Sequence, residues 1–170
     1  MTSHRFCFVL VGLFLAGSFA TLSAASREEE AEKYKKTLRS SRPDVKELAT
    51  AVKELGKLGA IASKYTKDII PDLMKMLDHK DDKVRGEAAH AIGMVDPDEK
   101  EPVVDKLIKI LREDKVDAVK LTAAQGLAAM GSESKAALPA LKEAMAAAGK
   151  KEARPYRDAI QTITGNPKKK

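Results

Sequence analysis

The chain has 170 residues, of which 33% are charged and 4% aromatic; it has no tryptophan and a formal net charge of +6. That length suits one ordinary domain. A composition rich in Ala, Leu, Lys and Glu leans helical, and the shortage of β-branched and aromatic runs excludes a sheet-based fold.

The first segment has the three parts of a secretory signal peptide. "MTSHR" ends in a cation, and "FCFVLVGLFLAGSFATL" follows as an unbroken apolar run. Ser23 and Ala25 then place small residues at the −3 and −1 positions of a cleavage site. Cleavage after Ala25, or one residue earlier, is expected, so residues 1–25 are read as the signal and 26–165 as the folded domain. The rival reading keeps the run as an N-terminal anchor, since about 17 apolar residues lie at the lower edge of a membrane-spanning length. Cleavage would leave no membrane span and an exported protein, periplasmic or extracellular. It would also remove Cys7, His4 and all four phenylalanines. The remainder could then form no disulfide and no thiolate site, and its core would be aliphatic.

Downstream, apolar residues recur at the i, i+3, i+4, i+7 spacing of amphipathic helices. Ile70, Leu73, Met74 and Leu77 share one face, as do Val104, Leu107, Ile108 and Leu111. Helices are expected near 27–40, 44–58, 67–77, 82–95, 100–112, 116–130, 134–148 and 151–163. The breaks are "SRPD", "LGAIASKYT", "DHKDD", "VDPDEK", "REDK", "GSES" and "AGKK". Pro71, Pro102 and Pro139 fall near helix starts, where proline costs little. Asp44 with Glu47, and Ser26 with Glu29, have capping-box spacing. Gly59 and Gly131 stand where a left-handed helix end would want glycine. The "PKKK" terminus closes a basic tail, residues 166–170.

The helical pattern repeats. "VRGEAAHAIGMV" (84–95) overlays "VKLTAAQGLAAM" (119–130) at an offset of 35, and "TAVKELGKL" (50–58) keeps the same Ala, Leu, Gly, Leu spacing at 37. Repeats of this period built from helix pairs stack into solenoids. "PDLMKMLDHKDDKVRGEAAHAIGMV" resembles the HEAT repeat, in the short HEAT-like form associated with phycobilin lyases. Pro71, Leu73, Leu77, Asp78, Val84-Arg85, Ala88-Ala89 and Ala91-Ile92-Gly93 carry the likeness, which extends over roughly 44–165. It implies an all-α fold, a right-handed α-α superhelix (HEAT-like solenoid) of about four helix pairs. It also implies a hydrogen-bonded ladder between neighbouring units, formed by the turn aspartate and the Val-Arg arginine, here Asp78 and Arg85. The next unit has Lys120 in place of that arginine. Lysine lacks the planar fork, so the ladder should be weaker at that step.

No catalytic set assembles in the sequence. His79 and His90 have carboxylates nearby but no third histidine or cysteine to complete a zinc site. The HEAT-like deoxyhypusine hydroxylases hold iron with His-Glu dipeptides, and this chain has none. No phosphate-binding glycine loop or nucleophile elbow is present. The expectation is no catalytic residue, no metal and no cofactor. Lysine and arginine alternate with acidic residues, so no basic face for nucleic acid is evident. The expected role is a non-enzymatic scaffold that binds another protein. The alternative is a lyase-type or ligand-binding subunit of an enzyme system. The partner-binding residues should be Lys53, Glu87, His90, Thr122, Gln125 and Asp158. They lie on the second helix of each pair, opposite the apolar neighbours Ala88, Ile92, Ala123 and Leu127.

Overall fold

The computed structural model describes residues 24–150 and 152–165. Most of the expected signal peptide and the whole 166–170 tail therefore lie outside the described residues. Eight α-helices follow in order: α1 (Ala24–Leu38), α2 (Val45–Ala62), α3 (Ile70–Met76), α4 (Asp82–Met94), α5 (Glu101–Glu113), α6 (Asp117–Ala129), α7 (Leu138–Ala147) and α8 (Ala153–Thr164). Short 3-10 segments, Ser63–Tyr65, Lys67–Ile69 and Gly131–Ala137, complete the connections. The described residues contain no strand, and no helix among them is long and apolar enough to cross a membrane.

Consecutive helices pack as pairs, α1 with α2, α3 with α4, α5 with α6 and α7 with α8. The second helices also pack on one another in the order α2, α4, α6, α8, forming a continuous layer. This is the HEAT-like helical solenoid expected from the repeat. One aliphatic core runs its length through Leu55, Leu73, Leu77, Ile92, Leu107, Leu127, Leu141 and Ile163, each fully enclosed. Ala88, Ile92, Ala123 and Leu127 are buried as their helical phase requires. Because each pair has two apolar faces, burial between pairs supplies most of the stability.

Local chemistry explains the helix ends. Asp44 caps α2 by accepting from the backbone N–H groups of Lys46 and Glu47, at 3.0 and 3.4 Å. Asp81 does the same for α4 with Lys83 and Val84. The prolines open α3, α5 and α7. Ser26 is not a cap: α1 begins at Ala24 and already includes it. Gly131 does end its helix in the left-handed region, at φ 62°, with open space around its α-carbon. An L side chain there pays backbone strain. Gly131→Ala should therefore cost about 1 kcal/mol, read as a lower denaturation midpoint with an unchanged denaturant slope.

Gly59 is not a helix end. It lies inside α2, which continues to Ala62, and it is buried against α4. A Cβ at Gly59 would sit 2.7 Å from Val95 Cγ2 and 2.9 Å from its Cα. Gly56 meets Ala91 at similar distances, and Gly93 meets the backbone of Gly126. The glycines of the repeat thus let neighbouring second helices approach backbone to backbone.

Candidate functional site

The six residues of the expected partner surface all lie on second helices, but they differ in exposure. Lys53 and Gln125 are exposed, while Glu87, His90, Thr122 and Asp158 are half-buried. Thr122 turns partly toward α4: its Oγ1 lies 3.4 Å from where a Cβ on Gly86 would stand, and it donates to the Val119 carbonyl. Asp158 lies 3.9 Å from Arg154. The surface is therefore a shallow, mixed-charge strip. His79 is elsewhere, in the α3–α4 turn, where its Nδ1 accepts from the Asp81 backbone N–H at 3.1 Å. Among the described residues, no three His, Cys, Asp or Glu side chains are grouped to hold a metal ion.

A second feature ties the units together. Arg85 at the start of α4 reaches across to Asp114 in the α5–α6 turn. Its Nε and Nη2 donate to the two carboxylate oxygens at 2.8 and 3.0 Å. Its Nη1 donates to the carbonyls of His79 and Lys80, just past the end of α3. The arginine ladder thus exists, but its acceptor is Asp114. Asp78 instead takes the Lys106 ammonium at 2.7 Å. The reason is geometric: Arg85 extends toward the following unit, so it meets that unit's turn aspartate. The Arg85 hydrogen bonds hold the Asp114 carboxyl below the usual carboxylate range, against the opposing effect of burial, and the Val116 N–H adds to the lowering. Other pairs bridge units in the same way. Lys35 on α1 and Arg39 in the turn after it hold Asp68, and Arg39 also holds Asp72. Burial pushes the Asp68 carboxyl up, but those two cations together bring it below its ordinary value.

The ladder stops at the next step. Lys120 occupies the arginine position and turns to Asp117 on its own helix, at 3.4 Å. The position 35 residues beyond Asp114 is Gly149, which has no side chain to receive it. Between these turns a cleft of about 610 Å³ opens. Leu111, Leu121, Ala140 and Ala144 form its apolar lining, and Tyr156 from α8 also lines it. The tyrosine ring is 3% exposed. Burial and the neighbouring Asp117 charge both push its hydroxyl above the usual phenol value. Neither Tyr156 nor Glu152 is among the residues that the sequence pointed to as partner-binding. The signal for the cleft was the pair of substitutions at the ladder positions, Lys120 and Gly149.

Comparison with known families agrees with this architecture. A family described as HEAT repeats matches residues 32–128. A second, the PBS lyase HEAT-like repeat, matches residues 119–147. The first match begins inside α1, upstream of the 44–165 span over which the repeat is visible by inspection. The second falls on α6 and α7, which line the cleft. No curated protein matches the chain. With helix pairs stacked at the repeat spacing and more than half of the chain matched, the protein belongs to the HEAT-repeat family.

Proposed function

We propose that this chain is an exported, non-enzymatic interaction module that binds another protein through its layer of second helices. The observation that carries the reading is the continuous α2–α4–α6–α8 layer. It offers an extended surface set by the scaffold, of the kind HEAT repeats commonly use for protein partners. The mixed charge along Lys53, Glu87, Gln125 and Asp158 suits a polypeptide better than a uniformly anionic polymer. Export rests on the signal-like residues 1–25, and intact mass of the secreted material tests it.

The direct test is a pull-down from the native cell envelope, followed by affinity measurements on the double variant His90→Ala with Gln125→Ala. Folding should change by less than about 0.5 kcal/mol, because neither side chain belongs to the core. Affinity for the recovered partner should fall at least tenfold. Unchanged affinity in the folded variant removes this face from the partner site. A reproducible turnover lost on changing one or two residues would replace the scaffold reading with the second one, a lyase-type or ligand-binding subunit. Two observations favour that second reading: the PBS lyase HEAT-like match at 119–147, and a cleft of ligand size in the same segment.

A further inference from the structure

The cleft between the last two helix pairs exists because a repeated contact is missing there. One step earlier, the Arg85 fork and the Asp114 carboxylate fill the gap between adjacent turns. At the last step both partners are replaced, by Lys120 and Gly149. What remains is an apolar pocket with an uneven charge. Arg112 is matched by Glu143 at 3.2 Å, and Lys120 by Asp117 at 3.4 Å. Glu152 also lines the pocket and makes no ion pair among the described residues, so the described lining carries one more carboxylate than cation. Its Oε2 lies 2.7 Å from where a Cβ on Gly149 would stand, so the carboxylate folds over the position the ladder aspartate vacates.

Tyr156 supplies the second, independent sign of a ligand. Its side chain is more than nine-tenths buried and lines the pocket, yet its hydroxyl has no hydrogen-bond partner among the described residues. The hydroxyl is not sealed in the core, where Gln161 Oε1 is the unpartnered atom among the described residues; it is accessible in the pocket wall and free to bond a ligand there.

We propose that this cleft binds a small organic cation, an ammonium or guanidinium group carried on a short apolar body. The charged head sits between Glu152 and the Asp117 side, with Tyr156 Oη accepting a hydrogen bond. The apolar body lies on Leu111, Leu121, Ala140 and Ala144. A volume of about 610 Å³ falls within the range of small-molecule sites. This site is separate from the second-helix strip, so loss of partner binding in the His90/Gln125 variant leaves it untouched.

The test is a titration of the full chain with phenethylammonium, followed by backbone amide NMR. Its carboxylate analogue, 3-phenylpropionate, serves as the charge-reversed probe. Saturable shifts centred on Gly149, Glu152 and Tyr156 are expected with the ammonium, and at least tenfold weaker binding with the carboxylate. Tyr156→Phe and Glu152→Gln should each weaken the ammonium about tenfold while preserving the rest of the spectrum. The double variant Lys120→Arg with Gly149→Asp rebuilds the ladder. It should raise the melting temperature and abolish binding, which separates closure of the cleft from unfolding. Equal binding of the two probes, shifts centred elsewhere, or undiminished binding in the rebuilt ladder would each overturn the proposal.

Discussion

Gly93→Ala is expected to destabilise the protein by about 2–3 kcal/mol, although alanine is the better helix former by about 1 kcal/mol. The two effects have opposite signs, and contact decides between them. A Cβ on Gly93 would overlap the carbonyl oxygen of Gly126 and stand 2.7 Å from its Cα. A Cβ on Gly126 would in turn overlap the carbonyl oxygen of Ala89. These obstacles are backbone atoms in the middle of α4 and α6, so no rotamer change can relieve them. The helices would have to separate, loosening the packing of Ala89, Ile92, Ala123 and Leu127 between them. Gly126→Ala should behave alike, and valine at either place should prevent folding. Gly86→Ala is the control. It lies on the same helix, but its nearest neighbour, Thr122 Oγ1, is at an ordinary 3.4 Å. Propensity then prevails, and a gain of about 0.5–1 kcal/mol is expected. Denaturant midpoints of the three variants decide the matter. A stabilised Gly93→Ala would mean that α4 and α6 are farther apart than their glycines indicate.

The helices were legible because their signal is local. Apolar spacing and Asp or Pro starts placed α4, α5 and α6 to within a residue or so. Asp44 was recognisable as a cap because its acceptor role involves only the next three residues. The glycines were harder. Gly59 stands at the end of an apolar pattern, as a helix-ending glycine would, and only the approach of α4 shows its other use. Gly56 and Gly93 share one repeat register, and that coincidence was the available clue. The ladder was legible as chemistry but not as a pairing. Arg85 and Asp114 are 29 residues apart, and the family resemblance pointed to the aspartate in Arg85's own turn, Asp78. The cleft was hardest, because it comes from two absences whose meaning depends on the ladder's correct partner. Tyr156 and Glu152 gain their significance only once that gap is seen.

Arg85→Ala should cost about 2–3 kcal/mol, somewhat less than the 3–5 typical of breaking a fully buried pair. The Arg85 and Asp114 side chains are 17% and 7% exposed, so solvent screens the pair only in part. Removal of the arginine leaves Asp114 short of two charge-assisted hydrogen bonds and the His79 and Lys80 carbonyls without their donor. Arg85→Lys should cost less, because one ammonium can still meet the carboxylate but cannot span both its oxygens and the turn carbonyls. The pH dependence identifies the cause. The Asp114 carboxyl is held below its unfolded value, so the folded state binds fewer protons than the unfolded state in mild acid. This contribution is fully present above the unfolded aspartate value of about 3.9 and is lost as pH falls through the lower folded value. Asp68 adds an acid loss of the same sign through Lys35 and Arg39. The wild-type midpoint should therefore fall between pH 5 and pH 3, and Arg85→Ala should fall less steeply, with the Asp68 part remaining. Adding Arg39→Ala should flatten the profile further, since the two networks lie in different steps of the stack and should act almost independently. If Arg85→Ala instead kept the full wild-type slope, its cost would come from the turn carbonyls alone, and the Asp114 carboxylate would carry no share of the coupling between these units.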